Sequence, residues 1–155
     1  MRLRHEDFGA IVALEEPPAL IHVDHALVAW LGHPPSPFAD APLGHLSAPT
    51  EVHLMVTNRC PAACPGCYTA ATPDGDEPGE AELLDAVDRL AGLGVFHLAL
   101  GGGESLLHPA LFRVAAHARA RGLVPNLTTS GLGLTPALAQ ACRVFGQVNV
   151  SLDGL

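Results

Sequence analysis

Short apolar runs alternate with amphipathic segments along the last two thirds of the chain. The runs at residues 52–56, 95–100, 123–128 and 147–152 are predicted strands. Residues 80–93 place their apolar side chains on one helical face. A second helix is predicted to open at Pro109 and close at Gly122, and a third to be capped by Thr135 with Pro136 at its first position. Strands that alternate with helices through short loops predict a parallel α/β sheet with right-handed crossovers.

The first fifty residues follow a different pattern. Apolar runs at residues 8–14 and 19–23, separated by Glu-Glu-Pro-Pro, predict two short strands joined by a turn, with a brief helix at residues 25–31. Residues 33–50 contain five prolines, a composition typical of an extended linker or a surface wrap. We therefore expect two domains, an N-terminal segment at residues 1–50 and a core at residues 51–155.

Composition narrows the function classes. The chain has 155 residues, of which 48% are hydrophobic, and a net charge of −8 with no lysine. This charge argues against a nucleic-acid or anionic-membrane partner, because the phosphate field needs a basic stripe. No signal peptide and no bilayer-spanning apolar run is visible. We therefore expect a cytoplasmic location, where cysteines are metal ligands or core residues rather than disulfides.

Three cysteines follow the first predicted strand of the core within T-N-R-C-P-A-A-C-P-G-C. Cys60, Cys64 and Cys67 are close enough for their thiolates to converge on a single metal centre. A closed zinc or iron–sulfur site takes four protein ligands, so three cysteines indicate a cluster with one iron open to a non-protein ligand. A structural zinc site, buried cysteines and a ferredoxin-type cluster are the alternatives. Cys142, which stands apart in a predicted helix, is expected to be a buried core thiol.

The other candidate motifs also fall after predicted strands. G-G-G-E at residues 101–104 follows the second strand, T-T-S-G at 128–131 follows the third, and S-L-D-G at 151–154 ends the fourth. The carboxyl ends of parallel strands lie at one edge of the sheet, where the active sites of such folds form. The sequence therefore predicts a single site built from all four motifs.

In this order, C-x-x-x-C-x-x-C, G-G-E, T-T-S-G and V-S-L-D-G resemble the motifs of the radical S-adenosylmethionine (SAM) superfamily, most of all its peptide- and protein-modifying branch. The resemblance covers residues 51–155 and implies a partial (β/α) barrel, of which about four parallel strands are present. It implies a [4Fe–4S] cluster on Cys60, Cys64 and Cys67, with S-adenosylmethionine on the fourth iron. One electron from an external flavodoxin- or ferredoxin-type donor would cleave this cofactor. The resulting 5′-deoxyadenosyl radical would abstract hydrogen from a peptide or protein side chain.

The same resemblance assigns the cofactor-binding residues. Gly102, Gly103 and Glu104 would receive the methionine amino group, because glycines let backbone carbonyls approach an ammonium closely. Ser130 occupies the place of a small polar residue near the cofactor. Ser151 and Asp153 match the segment that contacts the ribose and carboxylate side.

Two positions depart from the family pattern. Gly66 stands where the family often has a bulky residue near the adenine, and Tyr68 is expected to supply part of that contact. Ser105 replaces the proline that commonly follows G-G-E, a change that we expect to be tolerated.

The length of the chain also departs from the family. Four strands are fewer than the six units of the family barrel, so we expect a fragment of a longer protein rather than a chain that needs a partner.

Several alternatives stay open. The enzyme could act on a small molecule, or the chain could be an inactive, truncated iron–sulfur binding module. The N-terminal segment is expected to cover the open end of the barrel. The alternative is that it docks a leader peptide through a free strand edge, and an unpaired edge at residues 8–14 would favour this. His108 is expected to have a structural role rather than to bind metal.

Overall fold

The computed structural model describes residues 1–16, 18–40, 43–62 and 64–152. Contacts within the chain divide it into two compact units, Met1–Pro49 and Thr50–Leu155. Within the described residues, no helix is both long and apolar enough to cross a membrane.

The Met1–Pro49 unit is a three-stranded antiparallel sheet with one short helix. Its elements are β1 (Arg2–Glu6), β2 (Gly9–Glu15), β3 (Pro18–Asp24) and α1 (His25–Trp30), and the strand order is β1-β2-β3. The second and third strands and the helix were predicted, whereas β1 was missed because charged residues interrupt its apolar pattern. The predicted strand at residues 8–14 corresponds to β2, which is paired on both sides and so offers no free edge.

The proline-rich segment after α1 is held to the end of β1 by hydrogen bonds to the buried carboxylate of Glu6. Glu6 is fully buried and accepts hydrogen bonds from Arg4 Nε at 2.7 Å, from the Ser47 N–H at 2.6 Å and from Ser47 Oγ at 3.0 Å. The Ser36 hydroxyl donates to the backbone oxygen of Glu6 at 2.6 Å. Residues 36 and 47 thus lie against the sheet, which agrees with a surface wrap rather than a free linker.

The Thr50–Leu155 unit is a parallel sheet covered by helices on one face. Its strands are β4 (Glu51–Thr57), β5 (His97–Gly102), β6 (Val124–Thr129) and β7 (Gln147–Val150), in the order β4-β5-β6-β7. Its helices are α2 (Glu80–Gly92), α3 (Leu111–Ala120) and α4 (Pro136–Ala141). Each strand pairs with the next one along the chain, so the sheet grows in one direction, as in a barrel. The predicted α/β class and its four parallel strands are confirmed.

The core of this unit lies between the sheet and helices α2 and α3. Alternate residues of the strands face these helices, among them Val56, Leu98, Leu100 and Leu127, all fully buried. Burying a side chain of this size contributes about 1.5–3 kcal/mol, so this face fixes the strands and brings their carboxyl ends to one edge.

Two helix starts show how local hydrogen bonds set the boundaries. Thr135 caps α4 as predicted, because its Oγ1 accepts the Leu138 N–H at 3.2 Å. The prediction that α3 opens at Pro109 was wrong, since the helix begins at Leu111. The ring of His108 accepts the Ala110 N–H at 3.2 Å and holds the preceding residues in a turn.

We expect Glu6→Ala to destabilise the Met1–Pro49 unit by about 3–5 kcal/mol, because it leaves a buried arginine without its carboxylate. Faster proteolytic cleavage between residues 33 and 49 in partially denaturing urea would report the loss. Glu15→Ala is the matched control, because the Glu15 side chain is 92% exposed. Equal cleavage rates in the two variants would contradict the proposed fastening.

Candidate functional site

The site is built where the end of β5 meets the chain that leaves β4. The Gly103 N–H donates to the Thr57 oxygen at 2.7 Å, and the Glu104 N–H donates to the Arg59 oxygen at 2.9 Å. A Cβ on Gly102 would overlap the Thr57 oxygen, and one on Gly103 would overlap the Arg59 oxygen. Gly102 also has a φ of 127°, which L-residues rarely adopt. The two glycines are therefore needed for this backbone contact, in addition to any approach to a ligand.

The cysteine loop is closed by its own backbone hydrogen bonds. The Cys60 N–H donates to the Thr72 oxygen at 2.8 Å, and the Thr72 N–H donates to the Asn58 oxygen at 3.2 Å. Within the loop the Cys67 N–H donates to the Cys64 oxygen at 3.3 Å. The two ends of the loop thus pair with each other, and the cysteines lie on the segment between them.

The Cys67 thiol has a hydrogen-bond partner within the loop. Its Sγ lies 3.2 Å from Thr69 Oγ1, and this hydrogen bond lowers the pKa of the Cys67 thiol. Backbone hydrogen bonds from Ala71 and Thr69 lower the pKa further. A lowered pKa favours the thiolate, which is the form that binds metal.

One cavity of about 650 Å³ joins the cysteine loop to the strand ends. Of the predicted site residues, those that line it are Cys60, Cys64, Cys67, Tyr68, Gly103, Ser130 and Ser151. Gly102 and Glu104 are the sequence neighbours of Gly103, but they do not line the cavity. Asp153 lies outside the described residues. The structure therefore brings together motifs that are up to 91 positions apart, from residue 60 to residue 151.

The donor chemistry of the cavity fits an iron–sulfur cluster. All three cysteines are free thiols, and thiolates are the ligands that such clusters use. Among the described side chains, however, no three His, Cys, Asp or Glu groups are gathered in the arrangement of a metal site. The three cysteines line the same cavity wall.

The carboxylate of Glu104, at the edge of the sheet, accepts four hydrogen bonds from the chain. It is fully buried and accepts hydrogen bonds from the Leu106 N–H, from Thr129 Oγ1 and from both the N–H and Oγ of Ser130. The neighbouring Ser105 is also buried, and its hydroxyl donates to the Thr128 oxygen at 3.1 Å. A proline at position 105 could not make that bond.

The sequence placed the T-T-S-G motif at the site but assigned a role only to Ser130, whereas Thr128 and Thr129 also line the cavity. The available signal was the run of three hydroxyl side chains in T-T-S at the end of a strand. Successive side chains of a strand point to opposite faces, so such a run places hydroxyls on both faces of the sheet edge. Thr129 points inward to Glu104, and Ser130 begins the loop that follows.

Two residues outside the cavity behave as expected. His108 is buried, and its Nε2 lies 3.1 Å from the Pro78 oxygen, so the ring has a structural role. Cys142 belongs to the core beside the sheet, and burial raises the pKa of its thiol.

We expect Gly103→Ala to lower both the thermal stability and the capacity of the chain to incorporate iron, because the added methyl group forces the Arg59 backbone away. Overpacking of this kind costs about 1–3 kcal/mol. Gly92→Ala is the control, since nothing lies within 4 Å of a Cβ at that helical position. Melting temperatures and iron content check the prediction, and a Gly103→Ala protein that matches Gly92→Ala in both would contradict it.

The chain is similar to known proteins in both sequence and fold. It is 38% identical over 128 residues to the PqqA peptide cyclase of Ruegeria pomeroyi, a match that covers 77% of this chain and 33% of that protein. The chain thus spans about a third of the length of this curated relative.

Crystal structures of Streptococcus suis SuiB, one bound to S-adenosylmethionine and one to the precursor peptide SuiA, each give a TM-score of 0.67 at 12% identity. Each alignment covers 94% of this chain. It covers 44% of the SuiB chain bound to S-adenosylmethionine and 45% of the SuiB chain bound to SuiA. BtrN in complex with AdoMet and 2-DOIA gives a TM-score of 0.56 at 18% identity, over 70% of this chain and 48% of that one. At these identities the likenesses show the fold alone.

The family assignment comes from the sequence. Residues 54–155 match the profile of the Radical SAM superfamily, and this range holds all three cysteines and the loops that line the cavity. The enzymes of this superfamily use a [4Fe–4S] cluster and S-adenosylmethionine as cofactors. The chain belongs to the radical SAM superfamily.

Proposed function

We propose that residues 51–155 form the S-adenosylmethionine-cleaving core of a radical enzyme that acts on a peptide or protein side chain. The observation that carries this proposal is the shared cavity. It brings the three cysteines together with residues from the ends of three further strands, namely Gly103, Ser130 and Ser151.

In this proposal Cys60, Cys64 and Cys67 hold three irons of the cluster, and the fourth iron is left to S-adenosylmethionine. When bound, these cofactors supply a 5′-deoxyadenosyl radical by one-electron cleavage of the sulfonium bond. The protein supplies ligands, orientation and exclusion of water.

The remaining lining residues orient the second cofactor. Within the Gly102–Glu104 segment, Gly103 lines the cavity, and the backbone carbonyls at this point receive the amino group of that cofactor. Ser151, whose N–H donates to the Thr129 oxygen at 2.9 Å, contacts its ribose and carboxylate side. The Tyr68 side chain is 77% exposed and can turn over the adenine.

The substrate class rests on sequence similarity to PqqA peptide cyclases, which extends over 77% of this chain in the relative from Ruegeria pomeroyi. An external one-electron donor of the flavodoxin or ferredoxin type would reduce the cluster. Four free cysteines agree with a reducing, cytoplasmic location, where thiols persist.

The test is anaerobic reconstitution of the chain with iron and sulfide. We expect about four irons per chain and a reduced-cluster EPR signal that changes when S-adenosylmethionine is added. Under reductant, 5′-deoxyadenosine should form. Replacing Cys60, Cys64 and Cys67 together by alanine should abolish the iron and both later signals.

Cys142→Ala is the matched control, since it removes a thiol that lies in the core rather than on the cavity wall. It should keep the iron. Iron retained by the triple variant would overturn the cysteine assignment. An intact wild-type cluster that neither responds to S-adenosylmethionine nor cleaves it would favour an iron–sulfur binding module instead.

The peptide assignment has its own test. If the gene lies beside a short open reading frame, the encoded peptide should increase 5′-deoxyadenosine formation and change in mass after incubation with the reconstituted protein. Deuterium at the reacting carbon should appear in 5′-deoxyadenosine, because hydrogen abstraction transfers that atom. Cleavage of S-adenosylmethionine that is stimulated by small metabolites but by no peptide would contradict the assignment.

A further inference from the structure

The four hydrogen bonds to Glu104 use the whole accepting capacity of its carboxylate. Oε1 accepts from the Leu106 N–H at 3.0 Å and from Thr129 Oγ1 at 2.5 Å. Oε2 accepts from the Ser130 N–H at 2.9 Å and from Ser130 Oγ at 2.5 Å. A carboxylate offers about four lone-pair sites, and here each has a donor from the chain itself. No site is left for the ammonium group of a ligand.

The hydrogen-bond partners also fix the direction of both hydroxyl groups. Thr129 Oγ1 accepts the Gly131 N–H at 2.9 Å, and Ser130 Oγ accepts the Leu132 N–H at 3.3 Å. A backbone N–H can only donate, so each hydroxyl hydrogen is directed to Glu104. Each hydroxyl oxygen then keeps one lone pair unused.

Both residues line the cavity, but the lone pair on Ser130 is the more accessible of the two to a ligand. Thr129 is 2% exposed, whereas Ser130 is exposed on the cavity wall. The hydroxyl of Ser130 is therefore an acceptor and not a donor toward the cavity. Donation to a carboxylate increases the negative charge on its oxygen, since hydrogen bonds in a chain polarise one another.

We propose that Glu104 is a positioning residue that does not touch the cofactor and that acts through Ser130. It holds the Ser130 hydroxyl as an acceptor for a donor group of S-adenosylmethionine, which carries an ammonium, two ribose hydroxyls and an adenine amino group. This inference rests on the proposed function, because it takes that cofactor as the occupant of the cavity. It refines the role expected for Glu104, since the amino group then meets backbone carbonyls or Ser130 rather than the carboxylate.

The chemistry requires a carboxylate at this position. A glutamine would point amide hydrogens at two of the four donors, either the Oε1 pair from Leu106 and Thr129 or the Oε2 pair from Ser130. In both orientations the negative charge that polarises the Ser130 hydroxyl is lost. Among the described partners of Glu104, Ser130 is the one that both donates a hydroxyl and is exposed on the cavity wall, so the loss of charge would weaken ligand binding there.

A double-mutant cycle on cofactor binding tests the proposal. The affinity of the reconstituted protein for S-adenosylmethionine is measured by equilibrium dialysis for the wild type, Glu104→Gln, Ser130→Ala and the double variant. We expect each single change to weaken binding by about tenfold, as for loss of a hydrogen bond to a charged group. In the Ser130→Ala background, Glu104→Gln should weaken it by less than about threefold further, because coupled residues are not additive.

Glu80→Gln serves as the charge-matched control, because Glu80 pairs with Arg113 on the helices and not at the cavity. It should leave the affinity unchanged. Equal effects of Glu104→Gln in both backgrounds, or no effect in either, would overturn the role of Glu104 while the wild type still binds. If the wild type does not bind S-adenosylmethionine, the proposed function falls and this inference falls with it.

A second measurement uses only the wild-type chain and so does not depend on how the variants fold. Because the Ser130 N–H is already bonded to Glu104 without ligand, its hydrogen exchange should be slowed at least about tenfold in the free chain. Addition of S-adenosylmethionine should change that rate little. A freely exchanging Ser130 N–H that becomes protected only with ligand would show that the ligand organises Glu104, and would overturn the proposal.

Discussion

The site depends on one backbone contact, the pair of hydrogen bonds that joins the end of β5 to the entry of the cysteine loop. Parallel strands bring their carboxyl ends to one edge, but this alone leaves the loops free to diverge. The contact of Gly103 with Thr57, and of Glu104 with Arg59, fixes where the loop begins relative to the sheet. The glycines that the family pattern associates with a cofactor thus also allow the close backbone contact between β5 and the cysteine loop.

A second level of organisation joins β5 to β6 through side chains. Ser105 donates to the Thr128 backbone, and Glu104 gathers Thr129 and Ser130. Burying any of these polar groups without a hydrogen-bond partner would cost free energy, and here they form hydrogen bonds with one another. The polar edge of the sheet is therefore a connected network rather than a set of separate loops that happen to line one cavity.

Much of this arrangement could be predicted from the sequence, and the features that could not be predicted depend on contacts that a local pattern does not show. The apolar runs of β4 to β7 and the spacing of the three cysteines are local signals, and they located the sheet and the loop. The strand β1 carries too many charges to stand out, and the start of α3 depends on the ring of His108. Two partners of Glu104, Thr129 and Ser130, lie 25 and 26 positions away. Their pairing with Glu104 follows from the register of β5 and β6, which the composition of either segment does not encode.

The backbone at Gly66 disfavours a side chain at this point of the cavity wall. Nothing lies within 4 Å of a Cβ built on Gly66, so the cavity has space there for a larger group. Its φ of 74°, however, is left-handed, a conformation that costs an L-residue about 1–2 kcal/mol. Backbone torsion and not crowding thus disfavours a side chain at position 66, and the aromatic residue that lines this part of the cavity is the exposed Tyr68.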